Sequence, residues 1–574
     1  MKELKWWQKA VFYQVYIRSF ADGNNDGIGD FKGLISKLNY LWALGIDAIW
    51  LCPHYPSPNY DCGYDVSDYT AVGKEYGTME DFCEFLEKAH KMGIRVVLDL
   101  LLNHTSIEHE WFKESRKSTD NPKRDWYIWK KPKLDGSPPN NWNSIFDGSA
   151  WELDVLTNEY YYHYYLKEMP DLNWQNREVR NAMYDVMRFW LNLGADGFRI
   201  DSIGALAKHP DFPDHEIANS MIELKIARYL EVNESKKTEY YKKWKEMYKY
   251  QADQPHIHEI LKELRAVIDE FPDKLIVAEN FNLDYLGKNA DELNMVFNFP
   301  LMREKKLTPK FIRKNQKYRL SKITSISDKA KDILTFGDHD TSRVISRYNN
   351  GKKSKEVAKI CLALMITLPG TPMLYYGEEI GMNDLHLPNI NQFKDTAGIW
   401  LYNTAINILK LPESQALTYA NVISRDKCRT PMQWDNSPNA GFCGNDAVPW
   451  LPVNPNFLDG INAEEQKKDP GSMLIFYMKL INARKINKAL INGDYLPLGN
   501  DSEKYLAFVR KNNIESLAVI INFSDKKLKL NLSDENNKLR VLKTVFSTNR
   551  PYDTAANLSN FYLDPFEILI AKII

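Results

Sequence analysis

The 574-residue chain has little that would tie it to a charged polymer or a lipid bilayer. Its 75 basic and 76 acidic residues leave a formal net charge of −1. No basic patch stands out, which argues against nucleic acid or an anionic membrane as partner. No run is long and apolar enough to span a bilayer, and the N-terminal Met1-Lys2-Glu3-Leu4-Lys5-Trp6-Trp7 carries charge where a signal peptide would be apolar. The expectation is a soluble, cytoplasmic protein with no obligate protein partner evident. Cysteine is sparse: the six residues at positions 52, 62, 83, 361, 428 and 443 show no Cys-x-x-Cys spacing, and free thiols are expected. Internal repeats and low-complexity tracts are missing.

Aromatic residues are plentiful, with 15 Trp, 32 Tyr and 25 Phe. Flat rings suit the apolar faces of sugars, although most of them serve the core. A chain of this length is expected to form two or three domains.

Gly197-Phe198-Arg199-Ile200-Asp201 reads as a buried strand. Phe198 and Ile200 share one side of it, and Arg199 and Asp201 share the other. Similar apolar runs occur at 11–17, 48–53, 95–103, 274–279, 295–299, 333–338 and 372–377, most of them separated by helical patterns such as 31–44, 78–92, 177–193 and 256–270. Eight strands in this alternation predict a closed parallel (β/α)8 TIM barrel. Two excursions interrupt it. Residues 104–175 form a Trp-, Pro- and Asn-rich insert after the third strand, and a second insert covers about 384–455 after the eighth. The barrel therefore takes 1–103 and 176–494. Short alternating runs from 495 to 574 predict a C-terminal antiparallel β-sandwich. The lysine-rich run 236–245 reads as a solvated helix face.

The strand ends carry the chemistry. Asp99 and Asn103-His104 follow the third strand, Arg199 and Asp201 the fourth, Glu279 the fifth, and His339-Asp340 the seventh. Carboxylates, histidines and an arginine converging on one barrel face are costly to assemble without use. Metal-assisted hydrolysis and glycoside hydrolysis both need such a cluster. An arginine two residues from the aspartate repels a cation, so glycoside hydrolysis is favoured.

A separate loop, Asp22 to Asp30, places oxygen side chains at every second position with glycines between them. It predicts Ca2+ held by Asp22, Asn24, Asp26 and Asp30, with Ile28 contributing its carbonyl; the alternative is a turn holding no metal. Gly33 stands where an EF-hand would place its bidentate glutamate. No organic cofactor is indicated.

Several motifs together resemble the α-amylase family of glycoside hydrolases, in its α-glucosidase and oligo-1,6-glucosidase branch. They are Asp99-Leu100-Leu101-Leu102-Asn103-His104, Gly197 to Asp201, Ala278-Glu279-Asn280, His339-Asp340, Met169 to Asn173, Gly370 to Gly377 and Arg429 to Asp435. The resemblance covers essentially the whole chain. It implies Asp201 as nucleophile, Glu279 as general acid/base and Asp340 as transition-state stabiliser, with retention of configuration. It also implies that His104 and His339 act on sugar hydroxyls, that Asp61, Tyr64 and Arg429 surround the terminal glucose beside Arg199, and that an Asp61–Arg429 pair closes the pocket. The Asp22 to Asp30 loop matches the branch's calcium site.

The branch commonly has glutamine where this chain has Met169, and asparagine where it has Asp338. An extra carboxylate facing the pocket is expected to raise the pKa of Glu279 or Asp340; the alternative is that Asp338 turns behind the strand. The residue after the nucleophile tends to be valine in α-1,6-specific members, so Ser202 leans toward α-1,4 linkages in maltose and short malto-oligosaccharides. The expectation is an exo-acting α-glucosidase on a small α-glucoside. An α-1,6 oligoglucosidase, an isomaltulose- or trehalose-forming isomerase, and a non-catalytic binding member are the alternatives.

Overall fold

Eight short runs of β-branched and aromatic residues pair in parallel and close on themselves. In the computed structural model they are β1 (Phe12–Val15), β2 (Ala48–Leu51), β3 (Arg95–Leu100), β4 (Gly197–Ile200), β5 (Leu275–Ala278), β6 (Met295–Phe297), β7 (Lys331–Leu334) and β8 (Thr371–Tyr375). The structure describes residues 4–574 apart from 147, 232, 305, 328–329, 349–352, 500–501, 531, 533–540 and 558–560. Each strand pairs with its neighbours in chain order, and Phe12 of β1 lies opposite both Ala48 of β2 and Met373 of β8, which closes the (β/α)8 barrel. Several strands are shorter than their apolar runs. Residues such as Leu101 to Asn103 leave the ladder early and build the loops of the barrel mouth.

Alternation sorts the side chains into two cores. Phe12, Trp50, Val97, Val277, Phe297 and Met373 pack together in one cluster, whereas Phe198, Ile200, Leu98, Ile276 and Leu374 join a larger one with the surrounding helices. Gly197 is fixed by geometry: its φ is +148°, and a Cβ there would sit 2.1 Å from the Leu275 carbonyl oxygen. No side chain fits where β4 meets β5.

The helices follow their sequence signals. Helix α1 (Met79–Lys91) opens on a Thr78–Asp81 capping box and buries Phe82, Phe85, Leu86 and Ala89, which recur at helical spacing. Helix α2 (Arg177–Leu193) is capped by Asn176 and stopped by Gly194 at φ +113°. Its Trp190 is fully buried and donates to the Tyr69 carbonyl. Burial of a side chain that large stabilises the fold by roughly 3 kcal/mol.

Between β4 and the helix α5 (Ile257–Asp269) the chain makes a helical hairpin, α3 (Met221–Leu230) and α4 (Glu234–Met247). The lysine-rich run lies on α4 and is largely solvated. The opposite face buries Trp244 and Met247 against Met221 and Leu224. The excursion after β3 carries a three-stranded antiparallel sheet over Trp129–Lys130, Trp151–Asp154 and Glu159–Tyr162. It is tied to the barrel by the buried Lys208, whose ammonium lies 2.5 Å from Asp171 and 2.9 Å from Asn103. The excursion after β8 folds two helices, Thr396–Asn407 and Glu413–Ile423, ahead of the segment bearing Arg425 and Arg429. The C-terminal region is a six-stranded antiparallel sheet facing a two-stranded one. Phe508, Val519 and Ile570 turn toward the barrel, and Ala507, Ile520 and Leu569 toward Leu530 and Leu563.

Candidate active site

The residues that follow β3, β4, β5 and β7 meet at one end of the barrel, where a cavity of about 650 Å³ is lined by Asp61, Tyr64, Asp201, Glu279, Asp340 and Arg425, among others. Asp201 directly follows β4 and Glu279 directly follows β5, so two neighbouring strands aim their carboxylates side by side. Arg199 links them. One of its terminal nitrogens lies 2.8 Å from Asp201 and 2.8 Å from Asp99, and the other lies 3.1 Å from Glu279. The guanidinium also stacks over the Trp50 ring at 4.9 Å.

Different surroundings leave Glu279 and Asp340 in different states. Burial raises the Glu279 pKa to about 8; Arg199 opposes this, and Asp201, Asp340 and Asp338 add to the rise. Glu279 is therefore protonated at neutral pH, as a general acid must be. Burial works against ionisation of Asp340 as well, but His339, Arg429 and Arg425 outweigh it and hold the carboxyl well below its ordinary range. His339 is itself pushed down to about 3 by burial. Near neutrality, then, the two arginines carry the effect, with Arg429 at 2.7 Å and Arg425 at 3.5 Å from Asp340.

His339 is held on both edges. Gln14 donates to its Nδ1 at 2.8 Å, which leaves Nε2–H to donate to the Tyr64 hydroxyl at 2.6 Å; that hydroxyl donates in turn to Asp99 at 3.2 Å. The Tyr64 and His339 rings stack at 5.4 Å, only 3° from parallel. His104 lines the cavity too, but Asn103 contacts its Nδ1 and its Nε2–H donates to the Tyr64 carbonyl at 3.0 Å. A sugar hydroxyl at His104 would have to compete with these partners. Ser202 takes an unusual backbone conformation, φ 46° and ψ 37°, and its hydroxyl bonds the Tyr165 hydroxyl. Such conformations are costly away from glycine and cluster at functional sites.

The expected Asp61–Arg429 pair does not form. Arg429 is fully buried and spends its guanidinium on Asp340 and, at 2.8 Å, on the His339 carbonyl. Asp61 instead meets Arg425 at 2.5 Å, and Arg425 also holds the buried Asp395 at 2.6 Å. Arg425 lies four residues before Arg429 across the short 3-10 turn Asp426–Cys428, so the two guanidiniums share Asp340 while only Arg425 reaches Asp61 and Asp395. Asp338 faces the cavity and accepts the Asp340 N–H at 3.0 Å. It thus raises the Glu279 pKa and braces the loop at once.

Residues 14–493 match the family model for the alpha amylase catalytic domain. The chain belongs to the α-amylase family. It is 39% identical to an oligo-1,6-glucosidase of Parageobacillus thermoglucosidasius over 100% of this chain and 99% of the relative. It is 35% identical to a trehalose-6-phosphate hydrolase of Bacillus subtilis (strain 168), covering 100% and 99%. Among solved structures, the trehalulose synthase MutB from Pseudomonas mesoacidophila MX-45 superposes with a TM-score of 0.86 at 36% identity, covering 100% of both chains. This chain is thus a glycoside hydrolase of the α-amylase family on a TIM barrel, and among its described residues no helix is long and apolar enough to cross a membrane.

The loop expected to hold calcium is built around its own amides. Asp22 accepts the N–H groups of Asn24, Asn25 and Gly27, Asp26 accepts that of Ile28, and Asp30 accepts those of Gly23 and Gly33 while capping the helix Phe31–Ser36. Burial raises the Asp30 pKa, amides of Gly33 and Gly23 oppose it, and the charges of Asp22 and Asp26 add to the rise. The donor chemistry suits a hard cation, although among the described residues no three His, Cys, Asp or Glu side chains gather closely enough to hold one.

Sequence reasoning missed Arg425 and the α3–α4 hairpin, which brings Lys225, Arg228, Tyr229 and Trp244 to the cavity. Its signal was the apolar spacing of Leu224, Trp244 and Met247 beneath the lysines.

Proposed function

We propose that this member of the α-amylase family is a retaining, exo-acting α-glucosidase that releases terminal glucose from short α-glucosides and leans toward α-1,4 linkages. The observation that carries the reading is Arg199, one guanidinium in contact with both Asp201 and Glu279. That contact keeps the two carboxyls close together, as double displacement requires. Asp201 attacks the anomeric carbon while the protonated Glu279 donates to the departing oxygen. The Glu279 carboxylate then takes a proton from water, which releases glucose from the Asp201 ester. Asp340, ionised beside Arg429 and Arg425, stabilises the positive charge that develops on the ring. The Asp61–Arg425 pair bounds the cavity and supports removal of one terminal sugar at a time.

The α-1,4 lean rests on the polar Ser202. The opposite reading, α-1,6 hydrolysis or isomerisation of a disaccharide, has the names of the relatives and of the structural neighbour in its favour. Incubation with maltose, isomaltose and sucrose separates them. Free glucose from maltose, first appearing as the α-anomer by NMR, supports the reading. A disaccharide product different from the one supplied, or cleavage confined to isomaltose, overturns it.

Ca2+ held by Asp22, Asn24, Asp26, Asp30 and the Ile28 carbonyl belongs to the same proposal. Metal analysis of the purified protein and a fall in Tm on adding chelator test it.

A further inference from the structure

Three segments that are far apart in sequence meet at one ammonium group on the wall of the cavity. Lys225, on α3, is only 5% exposed. Its Nζ donates to the Phe146 carbonyl at 2.6 Å and to the Ile145 carbonyl at 3.1 Å, and it lies 4.0 Å from the centre of the Trp400 ring. Ile145 and Phe146 belong to the excursion after β3, and Trp400 to the helix Thr396–Asn407 of the excursion after β8. Burying an ammonium is costly unless its N–H groups are matched, so these partners are fixed relative to one another. The hairpin braces the same segment a second time: the hydroxyl of Tyr248, which follows α4, donates to the Ser144 carbonyl at 2.8 Å.

What is fixed in this way is a wall of the active site. Ile145, Phe146, Lys225, Tyr229 and Ala397 all line the cavity. The Phe146 ring lies 5.7 Å from the Arg425 guanidinium and 5.9 Å from the Tyr165 ring, whose hydroxyl bonds that of Ser202. Phe146 thus stands between the Asp61–Arg425 pair that bounds the terminal sugar and the residue that follows the proposed nucleophile. A phenyl ring has no polar handle, so its place is set by the backbone that carries it and by the groups around it.

We infer that Lys225 is a positioning residue for the leaving group: by gripping the Ile145 and Phe146 carbonyls it sets the Phe146 ring against the sugar beyond the scissile bond, and so decides how well a second sugar is held. The inference rests on the α-glucosidase reading and deepens it. A leaving group the size of a sugar depends on Lys225, and one that fills little of the cavity does not.

A disaccharide and α-glucosyl fluoride separate the two cases. Both deliver the same glucosyl group to Asp201, but fluoride departs as a single atom, whereas maltose, or isomaltose if the native enzyme prefers it, leaves a whole sugar against the wall. Lys225→Met keeps the apolar stem and removes the ammonium. In that variant the ratio of kcat/KM on the disaccharide to that on α-glucosyl fluoride is expected to fall about tenfold, chiefly through KM on the disaccharide. Phe146→Ala should lower the ratio by a similar factor, and adding Lys225→Met to it should change the ratio by less than about twofold, because the ammonium acts through that ring. Lys225→Arg, which can still donate to both carbonyls, should recover part of the ratio. An unchanged ratio, an equal loss on both substrates, or a double variant in which the two losses multiply would overturn the inference. Failure of the native protein to turn over either kind of substrate would instead count against the α-glucosidase reading. The grip is then still read by hydrogen exchange: Lys225→Met should speed exchange in the peptide holding the Ile145 amide, which donates to the Tyr164 carbonyl at 2.9 Å, and unchanged exchange there overturns it.

Discussion

Replacing Asp338 with asparagine isolates one charge at the active site. Asp338 contributes to the rise of the Glu279 pKa to about 8, after burial, Asp201 and Asp340. Two unit charges about 10 Å apart in an effective dielectric of about 20 interact by about 1.7 kcal/mol, and one pKa unit corresponds to about 1.4 kcal/mol. Asp338→Asn is therefore expected to lower the Glu279 pKa by about one unit. In the proposed reaction Glu279 must be protonated at the start, so the alkaline limb of kcat/KM moves to lower pH by the same amount while the acidic limb stays. The asparagine side-chain oxygen can still accept the Asp340 N–H that Asp338 accepts at 3.0 Å, which preserves the loop. The assay is a pH profile of kcat/KM on p-nitrophenyl α-glucoside in both proteins at constant ionic strength. An unmoved alkaline limb would refute the reasoning, because it would mean that the Asp338 charge does not reach Glu279.

Three further outcomes follow from the same geometry. Glu279→Gln should lower turnover by about 10²- to 10⁴-fold on substrates that need acid assistance. Because the folded pKa of Glu279 stands above its unfolded value, native stability falls as pH rises from about 4.5 to 8, so the Tm advantage of the variant should grow between pH 5 and 8. Arg425→Ala leaves Asp395 and Asp61 buried without their cation, which should cost about 3 to 5 kcal/mol in urea unfolding; Arg425→Lys should recover only part, and a loss below about 1 kcal/mol in the alanine variant would argue against the pair. Burial pushes the Cys62 thiol up to about 11 and that of Cys428 up to about 12. The native enzyme should therefore retain its activity in iodoacetamide at pH 7.5, and rapid inactivation would contradict the burial.

The barrel was legible because its strands are apolar on both faces, and the acids proposed for catalysis because they stand at or just beyond strand ends. Asp201 and Glu279 each follow a strand by a single residue, so their convergence can be read from chain order. Arg425 was not legible. It lies in an irregular turn four residues before an arginine that matches a motif, and only the path of the chain decides which of the two meets Asp61. The α3–α4 hairpin was hidden for a different reason. Lysines dominate its solvated face, and the buried set of Leu224, Trp244 and Met247 is too short a stripe to declare a partner in advance.

Arg199 touches Asp99, Asp201 and Glu279 with a single guanidinium. In the proposed reaction this turns a static contact into a timer. While Asp201 carries its charge, it raises the proton affinity of Glu279 and competes with it for the arginine. Once Asp201 becomes a glycosyl ester, that charge is gone, the guanidinium's field falls on the remaining acids, and Glu279 has reason to release its proton just as the second half of the cycle needs a base. Forming the ester thus sets the acid to its next task, and breaking it sets the acid back.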